Sequence, residues 1–124
     1  KWAGEFRRTD KNIGVPWYRV GVETRQLCED ALYWVENNTF PPPELAIRFK
    51  HRLVSIHCFP NGNGRHSRIM ADLLMECVFD LPFFGWQGSG LVKPDEQRSA
   101  YIAALRKADS GEIKPLLSFA VKSI

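Results

Sequence analysis

Apolar and polar positions along the chain change their period at sharp boundaries, and those boundaries predict the elements. Residues 1–21 mix aromatics, prolines and glycines with no helical period, and Ile13, Val15 and Tyr18 stand in a turn-rich stretch that reads as loop with a short hairpin. From Val22 to Asn38 the residues Leu27, Ala31, Leu32, Trp34 and Val35 recur at helical spacing, and the pattern stops at Asn37-Asn38, which predicts one amphipathic helix. Pro41-Pro42-Pro43 closes a linker. A second helix is expected to start near Pro43, with Leu45, Phe49, Leu53 and Ile56 as its apolar stripe, and to deliver the chain to His57. Asn61 to Gly64 breaks the period; Ile69, Met70, Leu73, Leu74, Cys77 and Val78 then restart it as a third helix, expected to be the most buried. Pro82 to Pro94 reads as a connecting loop. Tyr101, Ile102 and Leu105 predict a helix from about Asp95 to Ala108, Ser110-Gly111 breaks it, and Ile113, Leu116, Leu117 and Ala120 predict a last one. The sum is an all-α fold of about five helices with one small β-hairpin, forming a single domain over residues 1–124.

Composition narrows the class without choosing a function. Hydrophobic residues make up 44% and charged residues 25% of 124 residues, a globular balance, and no apolar run reaches the roughly 18 residues that span a bilayer. Lys1 to Lys11 lacks the basic-then-apolar pattern of a secretory signal, so nothing here points to export. Cys28, Cys58 and Cys77 form no CxxC pair, and an odd count makes a poor disulfide framework, which suits a reducing cytoplasm. The net charge of +3 suits a phosphate-bearing ligand but is too small for a nucleic-acid-binding signature.

Chemistry concentrates in His57-Cys58-Phe59-Pro60-Asn61-Gly62-Asn63-Gly64-Arg65-His66-Ser67-Arg68. Two glycines bracket Asn63 in a short loop that runs straight into a helix, so several N–H groups can converge on one anion with the positive end of the helix dipole behind them. Glycine permits both the unusual dihedrals and the close approach of an oxygen. Arg65 and Arg68, three apart, share a face of the first turns, where a di- or triphosphate would offset the dipole's objection to cations. A glycine-capped junction with two solvated arginines accounts for the same residues. His57, four residues before the loop, offers an imidazole able to take a proton from a hydroxyl; a capping or core histidine is the other reading.

The run resembles the signature of the Fic family, His-x-Phe-x-(Asp/Glu)-Gly-Asn-Gly-Arg-x-x-Arg, in every fixed position except Asn61, and Trp2 to Val15 resembles that family's upstream strip. Within the family the chain looks most like the bacterial group called mobile mystery protein B. The resemblance implies an all-α fold with a hairpin flap and transfer of AMP from ATP, with Mg²⁺ or Mn²⁺, to a Ser, Thr or Tyr hydroxyl of a target protein. His57 is then the base, Phe59 a buried anchor, and Gly62, Asn63 and Gly64 the anion hole for the α- and β-phosphates. Arg65 assists them, Arg68 meets the terminal phosphates, and Ile13 and Val15 belong to the flap that pairs with the target's backbone.

Asn61 stands where the family carries the metal-holding acid, and an amide offers Mg²⁺ one neutral oxygen without the charge of a carboxylate. Three readings follow: a slower or differently metallated AMP transferase, transfer from another phosphate-containing donor, or a nucleotide binder that has lost the reaction. Cys58, where proline is common in the family, reads as packing. His51 and His57 are six apart and so roughly 240° around a helix, which makes no metal-ligand pair, and His66 reads as a surface side chain. Residues 1–124 contain no Ser/Thr-x-x-x-Glu-(Gly/Asn) segment of the kind that holds many family members inactive through the second motif arginine. An inhibitory segment or antitoxin-like partner acting on Arg68 is therefore expected from elsewhere. Nucleic-acid binding through Arg48, Lys50, Arg52, Arg65 and Arg68 ranks last, and no membrane partner is expected.

Overall fold

The computed structural model describes residues 5–10, 13–84 and 94–121. These residues form five α-helices: α1 (Val20–Glu36), α2 (Pro42–Ile56), α3 (Asn63–Leu73), α4 (Pro94–Asp109) and α5 (Lys114–Val121). A short 3-10 turn, Trp17–Arg19, leads into α1, which therefore starts two residues before Val22. Among the described residues there is no strand. The expected hairpin around Ile13 and Val15 is instead a set of bends, because Gly14 turns the chain at φ 93° and the Val15 N–H is given to the Ile56 carbonyl at 3.4 Å rather than to a second strand. Trp2 and most of the predicted loop from Pro82 to Pro94 lie outside the described residues.

α2 is the central element. Pro42 and Pro43 occupy its first turn, where a missing N–H costs nothing, and Glu44 sits at the positive end of the dipole. The predicted stripe of Leu45, Phe49, Leu53 and Ile56 is buried, but so are Ala46, Ile47 and Lys50. The helix needs both faces because it divides two cores. Ala46 and Ile47 pack with Ala71, Met75, Phe84, Ala104, Ala108, Leu116 and Ala120; Phe49, Leu53 and Ile56 pack with Val20, Leu27, Ala31 and Cys58. α5 packs directly on α2, and α4 packs on α5.

α3 is less buried than its apolar content suggested. Only Asn63, Ser67 and Ala71 are buried on it, while Ile69 and Leu73 are 49% and 44% exposed. The face that packs inward is the line of small and polar residues Asn63, Ser67 and Ala71, which leaves Ile69 and Leu73 off it; after Leu73 the helix passes into a π-helical turn, Leu74–Val78, in which the Phe79 N–H reaches back to the Leu74 carbonyl at 3.2 Å. Met75 carries the buried line of Asn63, Ser67 and Ala71 on into the core at the same spacing of four, and Val78 is exposed. Phe84 plugs the same core, and its N–H is held by Asp72 on α3 at 2.8 Å.

Candidate phosphate-binding site

α2 ends one residue before the chemical run begins. His57 is its C-cap, in the left-handed region at φ 59° and ψ 62°, a conformation that costs a side chain bearing a Cβ about 1–2 kcal/mol. Cys58 is 2% exposed and its thiol lies 3.3 Å from the Thr24 hydroxyl; burial pushes its pKa up, so it is a packing residue rather than a nucleophile. Phe59 is half-buried, with its ring 5.9 Å from Phe6 and edge-on to His66 at 4.9 Å. His66 is thus half-buried beside Phe59 rather than a surface side chain, and its pKa is lowered by that burial.

Asn63 closes the loop. Its Oδ1 accepts from the Phe59 N–H at 2.9 Å and its Nδ2 donates to the Phe59 carbonyl at 2.7 Å, so one amide side chain satisfies both backbone groups of a residue four positions earlier. The Asn63 side chain is 6% exposed and committed to the loop, so what Asn63 offers a ligand is its backbone N–H. Gly62 before it is the N-cap at φ 77°, without a side chain to cap the helix, and its carbonyl accepts from the His66 N–H at 2.9 Å. The N–H groups of Asn63, Gly64 and Arg65 therefore form the open positive end of α3, the arrangement that binds phosphate oxygens. Asn61 is exposed at its edge.

Arg65 is exposed and Arg68 half-buried on α3. The Arg68 guanidinium lies 5.6 Å from the centre of the Tyr101 ring, and Lys50 Nζ lies 4.8 Å from the same centre while donating to the Tyr101 hydroxyl. Burial, aided by the charge of Arg68, pulls the pKa of Lys50 down to about 7. Burial also pushes Tyr101 up, against a hydrogen bond from Arg68. Lys50 was predicted only as part of a basic face, and it is wholly buried. Its neighbours on α2 offer no such face either: Arg48 is paired with Glu44 at 2.8 Å and Arg52 with Asp30 at 2.6 Å. The burial of Lys50 has a faint trace in the sequence, since it continues the Ala46 and Leu53 line of α2.

Arg7 left no such trace. It is 3% exposed, and its guanidinium donates to the carbonyls of His57, Thr9, Val15 and Ile56, while its backbone N–H donates to the Cys58 carbonyl at 2.9 Å. Ile13, placed in the expected target-binding strip, is 63% exposed, and Val15 is half-buried against the α1–α2 core. For a metal, the donor set is poor: Asn61 is neutral, and no group of three His, Cys, Asp or Glu side chains converges among the described residues.

The sequence model of the Fic/DOC family matches residues 2–75. The chain is 30% identical over 120 residues to the protein adenylyltransferase Fic of Drosophila grimshawi and 31% identical over 120 residues to that of Drosophila willistoni. These alignments cover 94% of this chain but 23% and 22% of the relatives, so the chain spans less than a quarter of their length. The solved structure of residues 134–508 of Fic-1 from C. elegans superposes with a TM-score of 0.65 at 27% identity, covering 98% of this chain and 34% of that one.

Proposed function

This chain belongs to the Fic/DOC family, and from that premise we propose that it transfers AMP from ATP to a Ser, Thr or Tyr hydroxyl of a target protein, as one Fic-type domain spanning residues 1–124. The observation that carries the reading is the junction of α2 and α3: a histidine held in a left-handed turn, five residues ahead of an uncapped, glycine-led helix N-terminus flanked by Arg65 and Arg68. The name of the Drosophila relatives, protein adenylyltransferase, supports it.

In this reading the α- and β-phosphates lie on the N–H groups of Gly62, Asn63 and Gly64, with Arg65 beside them and Arg68, braced by Tyr101, at the terminal phosphates. His57 takes the proton of the target hydroxyl as its oxygen attacks the α-phosphorus. The new P–O bond forms as the bond to the β-phosphate oxygen breaks, and pyrophosphate leaves with its charge met by the arginines and the helix end. Ile13 and Val15 lie on the strip that would meet the target's backbone. Mg²⁺ or Mn²⁺ would supply charge neutralisation when bound, and Asn61, as a neutral amide, would hold it only weakly. Three free cysteines suit a reducing compartment such as the cytoplasm. Among the described residues no helix is long and apolar enough to cross a membrane. Arg68 is the point at which an inhibitory segment or partner would act, by displacing the terminal phosphate.

Incubation with α-labelled ATP, Mg²⁺ or Mn²⁺ and a cell lysate tests the reading. Label on protein is expected with the wild type and lost with His57→Ala. Asn61 favours a second reading, a nucleotide binder without the reaction. A silent wild type with an active Asn61→Asp variant would establish that reading, and silence of both despite ATP binding would point to another phosphate-containing donor.

A further inference from the structure

Arg7 is a buried cation with no carboxylate within ion-pair distance among the described residues. Burying a guanidinium costs several kcal/mol unless its donors and its charge are met. Four of its five N–H positions, counted by bonds, reach backbone carbonyls: Thr9 at 3.0 Å and Ile56 at 3.2 Å, together with Val15 and His57. Two of those acceptors, Ile56 and His57, are terminal carbonyls of α2, the negative end of a helix of 15 residues. The charge of Arg7 is thus met by the dipole of the helix that carries His57.

The geometry has a direction. Arg7 donates to the carbonyls of the two peptides that flank the His57 Cα, and its own N–H donates to the Cys58 carbonyl. Beside Arg7, Gly14 approaches so closely that a Cβ there would lie 2.6 Å from the Cβ of His57, 2.9 Å from the Ile56 carbonyl and 3.0 Å from Arg7 Nη2. His57 is clamped in a conformation that a histidine avoids when unconstrained.

We propose that Arg7 is a positioning residue for His57: its guanidinium, acting through the α2 carbonyls, holds the left-handed turn that sets the direction of the imidazole relative to the α3 N-terminus. This role rests on the reading of His57 as the base. A lysine at position 7 keeps the charge but is a point donor without the planar fork, so it cannot serve the Thr9, Val15, Ile56 and His57 carbonyls together.

The test compares Arg7→Lys and Arg7→Ala with the wild type, using chain labelled at histidine; there are three histidines, and His57→Ala identifies the His57 imidazole signal. For folded Arg7→Lys the His57 signal is expected to shift while those of His51 and His66 stay, ATP affinity to remain within about twofold, and kcat to fall at least about tenfold, since small misplacement of a reacting group carries losses up to about a hundredfold. Guanidinium at millimolar concentration is expected to restore kcat to Arg7→Ala, and ammonium is not. An unmoved His57 signal with unchanged kcat in folded Arg7→Lys overturns the assignment. So does loss of ATP affinity in step with kcat, and so does failure of both variants to fold, which would make Arg7 a folding residue only. If the wild type transfers no AMP, the functional reading fails by itself, and the His57 signal still decides the role of Arg7.

Discussion

At the scale of single residues the loop depends on side chains that never need to touch a ligand. Asn63 shows this most clearly, because its amide replaces the backbone partner that Phe59 would have had in a regular element. Asn63→Ala removes both bonds, and at about 1 kcal/mol net for each the chain should lose about 2 kcal/mol in urea unfolding, with weaker ATP binding as the N–H groups lose their common aim. A loss under about 0.5 kcal/mol would mean that water replaces the amide without cost. The motif's asparagine was legible in the sequence as part of a resemblance. Its job was not, since an amide that binds phosphate and one that binds its own loop occupy the same position in a string.

Between elements, the decisive contact is the strip of residues 5–15 against the C-terminal end of α2. Gly14 sits at φ 93° with no room for a Cβ against His57. Gly14→Ala therefore meets both a strained backbone and a clash with groups that cannot swing away, and is expected to cost about 1–3 kcal/mol. A thermal midpoint within a degree of wild type would show that the strip simply lifts off. The helices themselves were readable because their signal is local: spacing of apolar residues, the prolines opening α2, and Ser110-Gly111 between α4 and α5. Burial was misjudged at α3, because the apolar Ile69 and Leu73 marked a face in the sequence while the face that packs inward carries Asn63, Ser67 and Ala71, which hydrophobicity does not flag.

Across the whole molecule the two cores meet on α2, and Lys50, buried on the same helix, joins Tyr101, against whose ring Arg68 also lies. Its pKa falls from 10.5 to about 7 on folding, chiefly through burial, with Arg68 adding to the fall and Asp109 opposing it. Between pH 7 and 10.5 the unfolded chain holds a proton that the folded chain has released, so this group makes stability rise with pH across that window and withdraws it as pH falls through about 7. Lys50→Met removes the penalty. Its advantage in unfolding midpoint over the wild type should be larger at pH 6 than at pH 9; an equal difference at both would place the titration elsewhere. By itself the sequence determined the order of five helices and the placing of a glycine loop between the second and third, because each is written in residues within a few positions of one another. Only the tertiary structure decided that Arg7 clamps His57 and that Lys50 joins Tyr101 beneath Arg68, pairs 50 and 51 positions apart whose meeting depends on how helices pack rather than on any spacing along the chain.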